Sequence, residues 1–162
     1  MSEEEKPHTF SILVENRFGA LARIAGLFSG RGYNIESLSV NHTLDPNVSC
    51  MTIVTKGNEE VLEQIEKQLN KLVDVVSVED ITLASHIERG LILMRVKADH
   101  AGRCALIQIL ESFQGRILEM TPSTVSLELS GSPEQLDSFI EIMKEFGILE
   151  LSRAGRTAIR RC

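Results

Sequence analysis

The chain has 162 residues, 43% of them hydrophobic and 25% charged, with a formal net charge of −6. That balance supports a packed core and excludes wholesale disorder, and the acidic charge argues against a phosphate-tracking surface as the main business. No apolar run approaches the roughly 20 residues that span a bilayer.

Residues 1–8 are acidic, lack the apolar core of a secretory leader, and read as a flexible, solvated lead-in. Residues 9–15 (TFSILVE) are β-branched and apolar and predict a strand. Asn16 and Gly19 then turn the chain into a helix with Leu21, Ile24, Ala25, Leu27 and Phe28 at helical spacing, stopped by Gly30 and Gly32. Leu21, Ile24 and Phe28 are expected in the core. Residues 33–43 alternate imperfectly and predict a strand wet on part of one face, turned at Asp45-Pro46-Asn47 onto a second strand over 50–57. The helix over 58–74 carries the stripe Val61, Leu62, Ile65, Leu69 and Leu72, with Asn58 as cap. A strand over 73–83 closes the set.

The same order then repeats. Residues 89–98 predict a strand, and 100–115 a helix with Ile107, Leu110 and Phe113 inside. Residues 116–121 and 124–131 predict two strands joined at Pro122-Ser123. A helix follows over 132–147, with Ser132 at its N-cap and Pro133 in its first turn. A last strand covers 148–156, and the arginines of RAGRTAIRRC read as a soluble, partner-facing or flexible tail. The pattern βαββαβ thus occurs twice, over 9–84 and 90–162, with a linker at 85–89. It defines an α+β fold of two tandem ferredoxin-like units, each an antiparallel sheet with helices on one face. Units this small have marginal cores. The open sheet faces call for cover from the sister unit or from a second copy, which predicts a homodimer.

Chemistry is scarce. The cysteines are Cys50, Cys104 and Cys162, an odd number without CxxC spacing, so neither a disulfide framework nor a zinc ribbon is indicated. Cys50 and Cys104 read as small core residues, Cys162 as exposed, and the set favours a reducing cytoplasm. Aromatics are 4% and Trp is absent, which removes the base-stacking face of an RNA-binding ferredoxin-like unit. The first loop lacks the CxxC of a metal carrier, and Arg17 with Asn34 is a thin basis for an acylphosphatase. Gly30 and Gly32 follow a helix, the reverse of a dinucleotide fingerprint, and no P-loop lysine is present. The four histidines are scattered. No catalytic residue and no metal ligand is assigned.

The strand–turn–helix entrance at 15–21 can still bind. A helix start leaves free backbone N–H groups that favour a carboxylate or phosphate. Gly19 permits close approach, and the Asn16 and Asn34 amides both donate and accept. Leu21, Ile35 and Leu38 offer an apolar wall. Together these suit a small apolar amino acid. The same residues also serve as plain turn residues, and the residues alone leave both readings open.

The stretches ILVENRFGALARIAGLFSGRGYNIESLSV (12–40), MTIVTKG (51–57), VLEQIEKQLNKLVDVVSVEDIT (61–82) and FGILELSRAGRTAIRR (146–161) carry a resemblance over residues 9–161. The chain resembles the small regulatory subunits of acetohydroxyacid synthase, also called acetolactate synthase. The resemblance implies an N-terminal ACT domain for effector binding and dimerisation, followed by the family's C-terminal domain. It implies a non-catalytic partner of a large subunit that uses thiamine diphosphate, Mg²⁺ and FAD to condense two 2-oxo acids, with no cofactor in this chain. The expected roles are activation of that subunit and feedback inhibition by valine or a related branched-chain amino acid. The implied effector site takes Asn16, Gly19, Ala20 and Leu21 from one ACT domain and Asn34 and Ile35 from the facing one. Arg17-Phe18 and Cys50 depart from the common pattern and bear on effector choice and affinity. Neither nucleic acid nor membrane is an implied partner. The alternative is a free-standing amino-acid-responsive module acting on another enzyme or on transcription, although no helix-turn-helix accompanies the repeats.

Overall fold

The computed structural model describes residues 6–161. In chain order the elements are β1 (Pro7–Glu15), α1 (Ala20–Gly30), β2 (Ile35–His42), β3 (Val48–Lys56), α2 (Glu59–Leu69), β4 (Val75–Asp80), β5 (His86–Lys97), α3 (Arg103–Ser112), β6 (Arg116–Met120), β7 (Thr124–Gly131), α4 (Pro133–Lys144) and β8 (Ile148–Arg160). They form two four-stranded sheets, ordered β2-β3-β1-β4 and β6-β7-β5-β8. The expected α+β, ferredoxin-like architecture is therefore present twice.

Two compact units result: the chain up to Ile87 together with the segment from Arg156, and Glu88–Gly155. In the first, Phe10, Ile12 and Val14 of β1 and Met51 and Ile53 of β3 alternate onto one face. There they meet Ile24 and Phe28 of α1 and Leu62, Ile65 and Leu69 of α2. Full burial of each such side chain contributes about 1.5–3 kcal/mol.

Helix α1 ends in a Schellman motif. The Tyr33 N–H donates to the Phe28 carbonyl (2.9 Å) and the Gly32 N–H to the Ser29 carbonyl (3.2 Å). Gly32 takes φ 72°, which a side chain would resist. The Phe28 and Tyr33 rings meet edge-on at 6.4 Å. Helix α2 is capped by Asn58, whose side chain accepts from the Val61 N–H. It stops at Leu69 instead of running to 74, because Lys71 and Leu72 donate three residues back and turn the chain toward β4. Leu72 still packs on the core.

The alternation of β2 is imperfect for a definite reason. Its register on β3 shifts between Ile35 and Ser37, so Ile35 and Leu38, three positions apart, both pack on the same core.

Part of the back of this sheet is covered by the chain's own C-terminal segment. The Arg156 N–H donates to Ser37 Oγ on β2 (3.0 Å) and Arg160 pairs with Glu79 on β4 (2.8 Å). Residues 156–160 therefore cross the sheet from one edge strand to the other. Four residues of extended chain reach about 13 Å, close to the roughly 14 Å of three strand spacings. Under this crossing Thr9, Thr52 and Val54 are buried, and so is Ala158. The expected tail is thus a strand end with partners, and residues 156–160 cover part of this sheet face, leaving Ser11, Leu13 and Cys50 half-exposed.

In the second unit, Ile92, Met94 and Val96 of β5 and Val125, Leu127 and Leu129 of β7 pack beneath α3 and α4. Helix α4 opens with a capping box between Ser132 and Gln135 and has Pro133 in its first turn, as its sequence predicts. In α3 the inward pair is Leu106 and Leu110, with Phe113 packed beside them; Ile107 is only half-buried.

Other expectations change. Residues 86–89, read as linker, belong to β5, and Pro7 and His8, read as lead-in, belong to β1; residues 1–5 lie outside the described residues. Cys104 is exposed and Cys50 half-buried, because each falls on the outward side of its element; Cys162 lies outside the described residues. Leu21 is 44% exposed, because it falls off the buried stripe of Ala20, Ile24 and Phe28. No helix among the described residues is long and apolar enough to cross a membrane.

Candidate functional site

The turn from β1 into α1 is built to leave donors free. Gly19 is the N-cap at φ 85°, a left-handed conformation, and has no side chain with which to cap. The Ala20 N–H is taken by the Arg17 carbonyl at 3.2 Å. Among the described residues, the N–H groups of Leu21 and Ala22 donate to no protein group, and α1 has no acidic residue in its first turn. The positive end of the helix is therefore uncompensated at the surface.

The β2–β3 hairpin closes on this turn. Asn16 Nδ2 donates to the Pro46 carbonyl (3.0 Å) and lies 3.3 Å from His42 Nδ1, while the Asn16 N–H donates to the Asn47 carbonyl (2.7 Å). A groove of about 450 Å³ results. Asn16, Ala20, Leu21, Val40 and His42 are among its walls, over a floor of Val14 and Met51. Arg17, exposed on the loop, is paired with Glu15 at 2.8 Å, so its charge is largely met locally. Arg23 pairs with Asp74, and a Cβ at Gly19 would lie 3.3 Å from its Nη1.

Of the residues expected to bind, Asn16, Ala20 and Leu21 line this groove and Gly19 forms the helix start beside it. Asn34 and Ile35 do not join them. His42 stands opposite Ser49 and Ile35 opposite Thr55, six positions along β3, which is about 20 Å of strand. Asn34 instead donates to Glu36 (2.9 Å), and its carbonyl accepts from Thr55 Oγ1 (2.6 Å).

Local sequence does not single out Val40 and His42 as groove residues. Their signal was topological: the Asp45-Pro46-Asn47 turn folds β2 onto β3, and β3 pairs with β1, so the end of β2 must lie near Asn16.

A ferredoxin-like unit with a small groove at an uncapped helix start, polar at one end and apolar at its floor, has the form of an ACT domain. Residues 10–77 match the family model described as an AHAS small subunit-like ACT domain, and residues 89–162 the model described as the small subunit of acetolactate synthase. The chain belongs to the acetolactate synthase small subunit family, whose members are regulatory subunits. It is 43% identical to the probable acetolactate synthase small subunit of Methanothermobacter thermautotrophicus, over 98% of this chain and 95% of that one. It is 46% identical to the acetolactate synthase isozyme 3 small subunit of Escherichia coli, over 93% of each. The crystal structure of the Thermotoga maritima acetolactate synthase small subunit superposes with a TM-score of 0.88 at 33% identity, covering 97% of this chain and 98% of that one.

Proposed function

We propose that this chain binds the thiamine-diphosphate-, Mg²⁺- and FAD-dependent large subunit of acetolactate synthase in the cytoplasm, raises its activity, and makes it sensitive to valine. The observation that carries the reading is the uncapped start of α1 beside the Asn16 amide, above the apolar floor of Val14 and Met51. Free N–H groups hold a carboxylate, the amide oxygen of Asn16 takes an ammonium, and the floor takes two methyl groups. A ligand of valine's size binds with a Kd of roughly 10 μM to 1 mM, or about −7 to −4 kcal/mol. Its methyl groups supply about 1–3 kcal/mol of preference over alanine.

The site is completed by a second copy. β2 is an edge strand, and the neighbouring Leu21 and Val40 leave apolar surface exposed. An antiparallel β2–β2 pairing about a two-fold axis between Leu38 and Ser39 sets Ile35 of the partner subunit opposite His42. That closes the separation of about 20 Å found within one copy and gives each groove Asn34 of the partner subunit. Valine bound at this seam favours one arrangement of the pair over another, with a coupling on the scale of about 1–3 kcal/mol.

The test is reconstitution. The cognate large subunit is assayed for acetolactate with and without this chain, and with and without valine. Higher activity on adding the chain, and inhibition by valine only when the chain is present, are expected. An unchanged rate and an unchanged valine response would defeat the reading.

A further inference from the structure

The unit Glu88–Gly155 has a groove of its own, of about 690 Å³. It lies at the same topological place as the first: the end of a core strand (Lys97), the turn into the following helix (Asp99, Gly102) and the adjoining hairpin (Ser123, Thr124). Phe146 and Leu149 add an apolar wall. We propose that this groove is a second amino-acid site, for an α-amino acid with a branched or aromatic side chain.

Four observations carry it. Lys97 has no ion-pair partner among the described residues, and its stem is held over Gly147, where a Cβ would lie 3.4 Å from Lys97 Cδ. Its ammonium is free to take a carboxylate. Asp99 uses Oδ1 to accept from the Gly102 N–H (2.8 Å), which fixes the carboxylate, while Oδ2 has no partner among the described residues. That oxygen meets an ammonium group. Gly102 has an ordinary φ of −78°, so its lack of a side chain serves space. A Cβ there would stand 3.3 Å from Asp99 Oδ1 and 3.9 Å from the Phe146 ring, between the anion and the apolar wall. Next to it, Arg103 donates from Nη2 to the carbonyls of Thr121 (2.7 Å) and Pro122 (2.9 Å) and pins the hairpin to α3. Its Nε is buried and has no partner among the described residues, and the guanidinium adds positive potential beside the groove.

A cation, an anion and an aromatic wall in one groove match the three parts of an apolar amino acid. A 2-oxo acid offers the carboxylate and side chain but nothing for Asp99. The site is independent of the valine seam, since no residue is shared between the two grooves.

The experiment uses the full chain carrying Gly19→Asp, which silences the first groove. L-leucine, L-phenylalanine and 4-methyl-2-oxopentanoate are titrated while the amide resonances of Ala98, Gly102, Ser123 and Phe146 are followed. Saturable shifts are expected with one of the amino acids at a Kd of about 0.1–1 mM, with at least about 10-fold weaker binding of the oxo acid. Lys97→Met should weaken amino-acid binding at least about 10-fold. Asp99→Asn, which keeps the acceptor for Gly102, should remove the preference for the amino acid over the oxo acid. No saturable shift below about 10 mM, or unchanged binding in Lys97→Met, overturns the proposal. Equal binding of the oxo acid and the amino acid overturns the role of Asp99. Each of these outcomes leaves the valine reading standing, because that reading is scored on the large subunit's activity.

Discussion

Arg23 Nε donates to Asp74 Oδ2, joining the first turn of α1 to the residue that enters β4. The Asp74 side chain is 6% exposed and the Arg23 side chain 47%. The carboxylate is therefore the desolvated partner, and Arg23 is the cation that makes its burial tolerable. The pair sets α1 against the sheet, and with it the free N–H groups of the groove.

Removing Arg23 leaves a buried, unpaired carboxylate. Arg23→Ala is expected to lower stability by about 2–3 kcal/mol, less than for a fully buried pair because the guanidinium is half-exposed. Adding Asp74→Asn to Arg23→Ala removes the orphan charge and should restore at least half of the loss. Urea denaturation of the three variants measures both effects. A double variant no more stable than Arg23→Ala would show that the charge is not the cause.

Gly19 tests the groove. Its φ of 85° costs a non-glycine residue about 1 kcal/mol, and Gly19→Asp would also add a carboxylate at the positive end of α1. Gly19→Ala imposes the same backbone strain without the charge. In the reconstituted enzyme both variants should still activate. The half-inhibitory valine concentration should rise at least about 10-fold for Gly19→Asp, and several-fold less for Gly19→Ala. Equal responses would assign the effect to strain.

Much of this was legible in the chain. The repeated βαββαβ order, the α4 cap at Ser132-Pro133 and the turn at Asp45-Pro46-Asn47 follow from periodicity and local chemistry, which act over a few residues. What escaped depends on contacts far apart in sequence. The arginines at 153–161 read as a tail because nothing local shows that Arg156 reaches Ser37, 119 positions away. Leu21 read as core because helical spacing marks a stripe and not its edge. Cys50 and Cys104 read as core because apolar neighbours do not reveal which side of an element faces out. The resemblance already assigns Asn16 and Asn34 to facing copies; the sheet register adds the distance that keeps them apart within one copy.

Acid sensitivity should centre on Asp80. Burial raises its pKa, but hydrogen bonds from His8 (2.8 Å) and from Thr82 outweigh this and hold it below the usual carboxylate value. A lowered folded-state pKa adds stability that is fully present above the unfolded value of about 3.9 and is lost as pH falls through the folded one. The melting temperature of the wild type should therefore drop below about pH 4. In Asp80→Asn it should be lower at neutral pH and flatter on the acid side. Parallel curves for the two proteins would exclude this role.

The central claim is that the effector groove is made by two copies of the chain. Asn16→Ala and Asn34→Ala each disable both grooves of their own homodimer. When the two variants are refolded together, every mixed dimer has one groove with both asparagines intact and one with neither. Valine binding is measured by equilibrium dialysis on each variant alone and on the equimolar mixture. Each variant alone should bind little or nothing, and the mixture should recover about one quarter of the wild-type capacity, at wild-type affinity, as random pairing in a two-fold dimer requires. A mixture that binds no better than its components would contradict a groove shared between copies.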